Sequence, residues 1–326
     1  MQELRSQQQV LALTTAVEPT ASQGVITLDE LFRILSAPGA NQIPEAQQNT
    51  DVEIILTRST TLETTAQGQA HSLLGQDRFF GWVYNKHPDM LLVDGNIRDA
   101  ALDNISPISL LCVNFIFTMT KLEPENVFTY IYCGLHTDPD GNDLWYGPSG
   151  LVRSVIVQVL LALGERESLS LDFVNRRSVL KRLECHDLDI LCKLLHHLVH
   201  QFSAETTVYC IVDGVSKFDV DYGRAFESLG LVISCLQNIV RDDRLVPKFK
   251  VLMTVPSISS VRMRELVDGS YYVTLSSSSV IPRPLSADSI CSAVAMPTTP
   301  LIDSSEPPQQ QGNPTQWGGE DYDDGD

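Results

Sequence analysis

The chain has 326 residues, of which 43% are hydrophobic and 20% charged, a composition that fits a globular protein with one sizeable core. Its 41 acidic against 23 basic residues give a net charge of −18, which repels phosphate backbones and anionic lipid and so excludes nucleic acid and membrane as expected partners. Seven cysteines without regular spacing, and no secretory leader, read as free thiols of a cytoplasmic protein; no run approaches the roughly 20 apolar residues of a membrane helix.

Residues 1–50 read as a flexible arm carrying one short helix, in which Leu28, Leu31, Phe32 and Leu35 recur at helical spacing. The folded domain is expected over 51–284. Apolar runs of strand length stand at 90–95 (MLLVDG), 127–134 (VFTYIYCG), 207–214 (TVYCIVDG), 250–255 (KVLMTV) and 271–275 (YYVTL), with helical patterns at 106–120, 147–164, 188–202 and 223–240. Because the strands are continuously apolar rather than alternating, they are expected to be buried on both faces. The fold class is therefore α/β, three-layer, with a mostly parallel five-stranded sheet. Ligands of such sheets bind beyond the carboxyl ends of the strands, which puts any site just after Val93, Cys133, Val212 and Thr254. Residues 285–326 turn to Pro, Ser, Gln and acid and bury too little apolar surface to order themselves, so they read as a disordered tail. The basic run NRRSVLKR (175–182) is read as a solvated helix face.

The segment TVYCIVDGVSKFD carries an apolar strand into Asp213, where a carboxylate can hold a metal ion or, more simply, cap the following turn. LLVDGN, ahead of a helix, occupies the place of a phosphate-binding strand and loop, and FKVLMTVPS that of a sensor strand. With RFFGWV, YIYCGLHTDPDG and GPSGLVRSVIVQVLL, these segments, spread over 78–275, resemble the NACHT-like P-loop NTPase domains of fungal signalling proteins of the STAND class. The resemblance implies a P-loop NTPase sheet and a nucleotide site of Gly95, Ser109, Asp213 and Thr254, with Mg²⁺ on Asp213.

Three departures weigh against catalysis. A working phosphate loop needs backbone N–H groups around the phosphates and a lysine on the β/γ charge, whereas DGNIRDAALDNISPIS keeps only Gly95, has no lysine, and brings Asp94, Asp99 and Asp103 where triphosphate would sit. Arg98 is a cation within that loop, and Ser109 stands for the Mg²⁺-binding hydroxyl only if the loop length is altered. Ser216 and Lys217 replace the acids that follow Asp213 in the family, with Asp219 and Asp221 a little beyond. The sensor strand ends Thr254-Val255-Pro256, without the family's arginine. These losses remove most of the electrostatic stabilisation that phosphoryl transfer depends on.

Other constellations have plainer readings. Cys192, His196 and His200 form a drifting stripe of possible zinc ligands, but Leu188, Leu191, Leu195, Leu198 and Val199 share the helix and no CxxC pair appears, so the stripe reads as flanking a buried face. Cys133 with His136, or Cys185 with His186, would need an orienting third group to act as a hydrolase, and a buried thiol explains Cys133 better. DPDGND (138–143) lacks the later glutamate of a calcium loop. The polar segment 134–150 reads as an interaction loop bearing exposed Trp145 and Tyr146, with Arg153 just inside the next helix. The expectation is thus a non-hydrolysing, NTPase-like regulatory or interaction module without cofactor, whose partners are other proteins or further copies of itself. The alternative is a weak Mg-ATP- or Mg-GTP-binding switch that uses Asp213 and an atypical phosphate loop.

Overall fold

Each strand is placed by two apolar faces. In the computed structural model, which describes residues 26–36, 44–98, 104–138, 143–166, 168–221, 224–277 and 280–295, β3 (Thr207–Asp213) is buried along its whole length. Val208, Cys210 and Val212 enter one core cluster while Tyr209 and Ile211 enter a second, the period-two alternation of a strand covered on both sides. β1 (Asp89–Asp94), β2 (Val127–Tyr132), β4 (Lys248–Val255) and β5 (Tyr272–Thr274) complete a sheet of five strands, every pair parallel, in the order β2-β3-β4-β1-β5.

Helices lie on both faces, so the domain is a three-layer α/β fold with a wholly parallel sheet. The first core gathers residues of α1 (Leu28–Leu35), α6 (Gly147–Glu165), α7 (Arg177–Glu184), α8 (Leu188–Val199) and α9 (Ala225–Val240). The second gathers residues of α2 (Pro44–Arg58), α3 (Thr64–His71), α4 (Asp77–Tyr84), α5 (Pro107–Leu122) and α11 (Ala287–Val294). A short α10 (Val261–Glu265) follows β4. The chain leaves β1 over the second face through α5, passes two strands to β2, and returns over the first face to β3 and β4. This reversal is how right-handed crossovers wind a sheet in both directions.

Among the described residues α6 is long and apolar enough to cross a membrane, and 78% of its apolar window is buried inside the protein; it is the central helix of the first core. Two boundaries differ from the sequence expectation. The compact unit runs through Val294, past the boundary expected at 284, because Ile290 and Val294 bury an apolar face of α11 against the second core. The expected tail beyond 295 lies outside the described residues.

The N-terminal helix is also no free arm. Leu31 and Leu35 are fully buried, and the Arg153 guanidinium donates to the carbonyls of Leu35 at 2.7 Å and Leu144 at 2.6 Å. A cation on the last carbonyls of a helix satisfies acceptors that the helix itself leaves open. Arg153→Ala should therefore cost about 3 kcal/mol, and Arg153→Lys should recover only part, because an ammonium cannot fork to two carbonyls in fixed geometry. Urea denaturation of the two variants checks both statements.

Candidate functional site

The connections from β1 and β4, neighbouring strands, diverge to opposite faces of the sheet, and a crevice at their carboxyl ends is the expected ligand position. In this protein the crevice is closed by backbone. The β1–β4 pairing continues past the last paired residues: Gly95 N–H donates to Val255 O at 2.7 Å, Asn96 N–H to Ser257 O at 2.9 Å and Ile97 N–H to Pro256 O at 3.0 Å. Gln69 of α3 donates from Nε2 to the carbonyls of Gly95 and Asn96 at 2.8 and 2.9 Å. Three consecutive amides that would wrap a phosphate are thus spent inside the protein. A side chain at Gly95 has no room either, since a Cβ there would sit 2.6 Å from Pro256 O and collide with Ile108. Asn96 takes the left-handed conformation (φ 51°), which asparagine tolerates, and its side chain donates to Leu275 O at 3.1 Å.

Asp94 fastens the same place from the side. Its carboxylate is fully buried and accepts from Ser259 N–H at 3.0 Å, from the Ser259 and Tyr272 hydroxyls, and from Arg264 at 3.3 Å. Ser259 and Arg264 come from the β4–β5 connection and Tyr272 from the first position of β5. The acid expected to repel a bound triphosphate is therefore the anion that this cluster of donors holds. Arg98, the cation expected within the loop, is exposed, and Asp99 and Asp103 lie outside the described residues.

Of the residues expected to share a nucleotide site, Ser109, Asp213 and Thr254 meet. Thr254 Oγ1 donates to Asp213 Oδ1 at 2.6 Å and accepts from Gly214 N–H at 3.0 Å. Burial pushes the Asp213 carboxyl up, against hydrogen bonds from Ser109 and Thr254 that favour its charged form. Asp213 is 2% exposed, so its oxygens face protein rather than a ligand cavity. Ser109 is also committed, since its Oγ accepts from Ser106 N–H at 3.0 Å while Ser106 Oγ accepts from Ser109 N–H at 3.2 Å, a capping box at the start of α5. Asp219 accepts from Ser260 Oγ and Arg262 Nε, each at 2.6 Å, and Asp221 pairs with Arg262. The acids beyond Asp213 are thereby engaged in holding the β3 turn to α10.

The 134–150 loop differs most from its expectation. Trp145, read from sequence as an exposed contact residue, is 5% exposed and stacks under the buried Arg153, 5.4 Å from the ring centroid; Tyr146 is half-buried. Arg153 is likewise no pocket cation: it serves two carbonyls, and burial lowers its pKa to about 10 against the nearby charge of Asp143. What organises the loop is His136, whose Nδ1 lies 3.0 Å from Asp143 Oδ1 and whose Nε2 lies 3.0 Å from Asp51 Oδ2 of α2. Burial pulls its pKa down, but hydrogen bonds and charge from Asp143 and Asp51 outweigh that and hold it at about 9. The imidazolium is clamped on both nitrogens and cannot serve Cys133, whose thiol burial pushes well up, with Asp213 adding to the effect. His186, for its part, contacts Ile34 O at 2.8 Å, and residues 139–142 of DPDGND lie outside the described residues.

A cavity of about 510 Å³ does open nearby, lined by Ile54, Arg58, Thr61, Leu62, Asn104, Ile105 and Leu135. Gly95, Ser109, Asp213 and Thr254 do not line it. Comparison of the chain with models of known protein families, with curated proteins and with solved structures finds no match.

Two measurements follow from this geometry. Asp94→Ala should lose about 3 kcal/mol, because it leaves the buried donors of Ser259, the half-buried Tyr272 hydroxyl and the Arg264 charge without an acceptor; thermal and urea unfolding read the loss. His136 binds its proton more tightly folded than unfolded, so its contribution is complete below pH 6.5 and is lost as pH rises through about 9. Between those limits wild type should lose up to roughly 3 kcal/mol relative to His136→Asn. Lys250, brought down to about 8 mainly by burial, gives the opposite slope at higher pH in both proteins and cancels in the difference.

Proposed function

We propose that this chain is a non-hydrolysing, NTPase-like module that works through protein contacts rather than through a bound nucleotide. The observation that carries the reading is the closed crevice: the amides of Gly95, Asn96 and Ile97 are hydrogen-bonded to 255–257, and Asp94 is the anion held beside them. Kinship with STAND-type P-loop domains is supported by the strand order, which sets the strand ending at Asp213 two positions away from the strand that runs into Gly95, with the Thr254 strand between them. The seven cysteines are all unpaired, which supports work in a reducing compartment such as the cytoplasm.

The contact surface in this reading moves from the Trp145 loop to the turns after β3 and β4. The pairs of Asp219 with Ser260 and Arg262, and of Asp221 with Arg262, join two segments that display Val220, Ile258 and Val261 at 42%, 51% and 73% exposure. Exposed aliphatic residues held on a fixed turn are what a protein partner, or a second copy of the chain, can bury.

The convergence of Ser109, Asp213 and Thr254 is the observation that favours the second reading, a weak Mg-nucleotide switch. Thermal unfolding with millimolar Mg-ATP and Mg-GTP separates the two. A ligand that binds only the folded state adds about 2.7 kcal/mol at one hundred times its Kd, so the proposal expects no shift. A stabilisation that disappears in Asp213→Ala would replace it with the switch.

A further inference from the structure

At the amino-terminal edge of the sheet, opposite the crevice, three potential metal ligands converge. His196 and His200 stand one turn apart at the end of α8, with stacked rings 5.0 Å apart between centroids. Asp242 reaches them from the turn that follows α9: its Oδ2 lies 2.9 Å from His196 Nε2 and 3.1 Å from His200 Nε2. The three ligand atoms all lie within 4.8 Å of one another. Around a divalent ion with bonds of about 2.0–2.1 Å, the edge between two tetrahedral ligand atoms is about 3.3 Å. An ion would therefore enter by widening the two carboxylate–imidazole contacts a few tenths of an ångström, with rotation of the two imidazoles setting the third edge.

The rest of the cluster is built to present that one oxygen. Asp242 Oδ1 is occupied by Arg244, through its backbone N–H at 3.0 Å and its Nε at 3.1 Å, while Oδ2 faces the two imidazoles and receives only a long contact of 3.5 Å from Arg244 Nη2. The Asp242 side chain is only 8% exposed, whereas Arg244 is 87% exposed and is free to swing away from an arriving cation. His197 is turned elsewhere, stacked on Phe173 at 4.2 Å, and Lys193 is paired with Asp189 at 2.8 Å. A cavity of about 490 Å³ opens onto the cluster, leaving space for a water or an outside ligand in a fourth position.

We infer that His196, His200 and Asp242 form a binding site for one divalent transition-metal ion of the zinc class, fastening α8 to the α9–β4 turn and leaving one coordination position open. Two imidazoles and one carboxylate suit Zn²⁺ or Co²⁺, while Ca²⁺ and Mg²⁺ prefer all-oxygen shells. The inference is independent of whether the crevice binds nucleotide. Cys192, the stripe member that sequence places on the same face, is not part of the set; the Cys235 thiol donates to its carbonyl at 3.6 Å.

The test is calorimetry of the full chain, stripped with chelator, against ZnCl₂, with visible spectroscopy of CoCl₂ as a second probe. The expected result is one equivalent of Zn²⁺ per chain and Co²⁺ d–d bands of a nitrogen/oxygen site. His196→Ala, His200→Ala and Asp242→Ala should each weaken binding at least about 10-fold, Arg244→Ala should bind no more weakly than wild type, and Cys192→Ser should match wild type. If an alanine variant unfolds, His200→Gln, which keeps a polar contact to Asp242, takes its place with the same expected loss. Absence of binding in wild type overturns the assignment. So does tight binding that survives the histidine changes, or loss that follows Cys192→Ser instead.

Discussion

The arrangement of this domain depends on the backbone seam between the ends of β1 and β4. Parallel strands end with amides and carbonyls that must find partners if buried, and at a switch point those groups are ordinarily left to a ligand. Here the seam runs on through Ile97 to Ser257, so the protein satisfies its own strand ends. Each further feature of the crevice follows. Gly95 is required because backbone passes where a side chain would go, Gln69 is required for the carbonyls that the seam turns outward, and Asp94 is required because the β4–β5 connection and the start of β5 bring the side chains of Ser259, Arg264 and Tyr272 to one buried point.

A second set of polar groups determines what surrounds that seam. His136 between Asp51 and Asp143 joins α2 to the loop after β2, and Arg153 joins the loop and α1 to the buried start of α6. Buried ionic groups stabilise only when every partner is in place. These are therefore points at which the fold is specific rather than merely compact. They also engage His136 and Arg153, which sequence offers as catalytic or binding candidates.

The two edges of the sheet consequently differ in character. The carboxyl edge has an Asp213 whose oxygens are taken by hydroxyls and a crevice in which the amides of Gly95, Asn96 and Ile97 are bonded within the protein, and it displays aliphatic side chains on the turns beyond. The amino edge has a carboxylate oxygen offered to two imidazoles beside an open cavity. The proposed metal chemistry and the proposed protein contact thus fall at opposite ends of one scaffold.

The sequence by itself determined the strands, the principal helices and the three-layer class, because continuous apolar runs and helical periodicity are local signals that burial on two faces enforces. It also set Ser109, Asp213 and Thr254 at strand and helix ends, where a wound sheet brings them together. Only the tertiary structure decided what those ends do. Hydrogen-bond partners such as Asp51 for His136, Ser259 for Asp94 and Asp242 for His200 lie 85, 165 and 42 residues away in the chain, a separation at which no pattern in one sequence links them. Trp145 differs in that its cover, Arg153, is near in sequence; what sequence does not show is that packing turns that face of α6 inward and buries both.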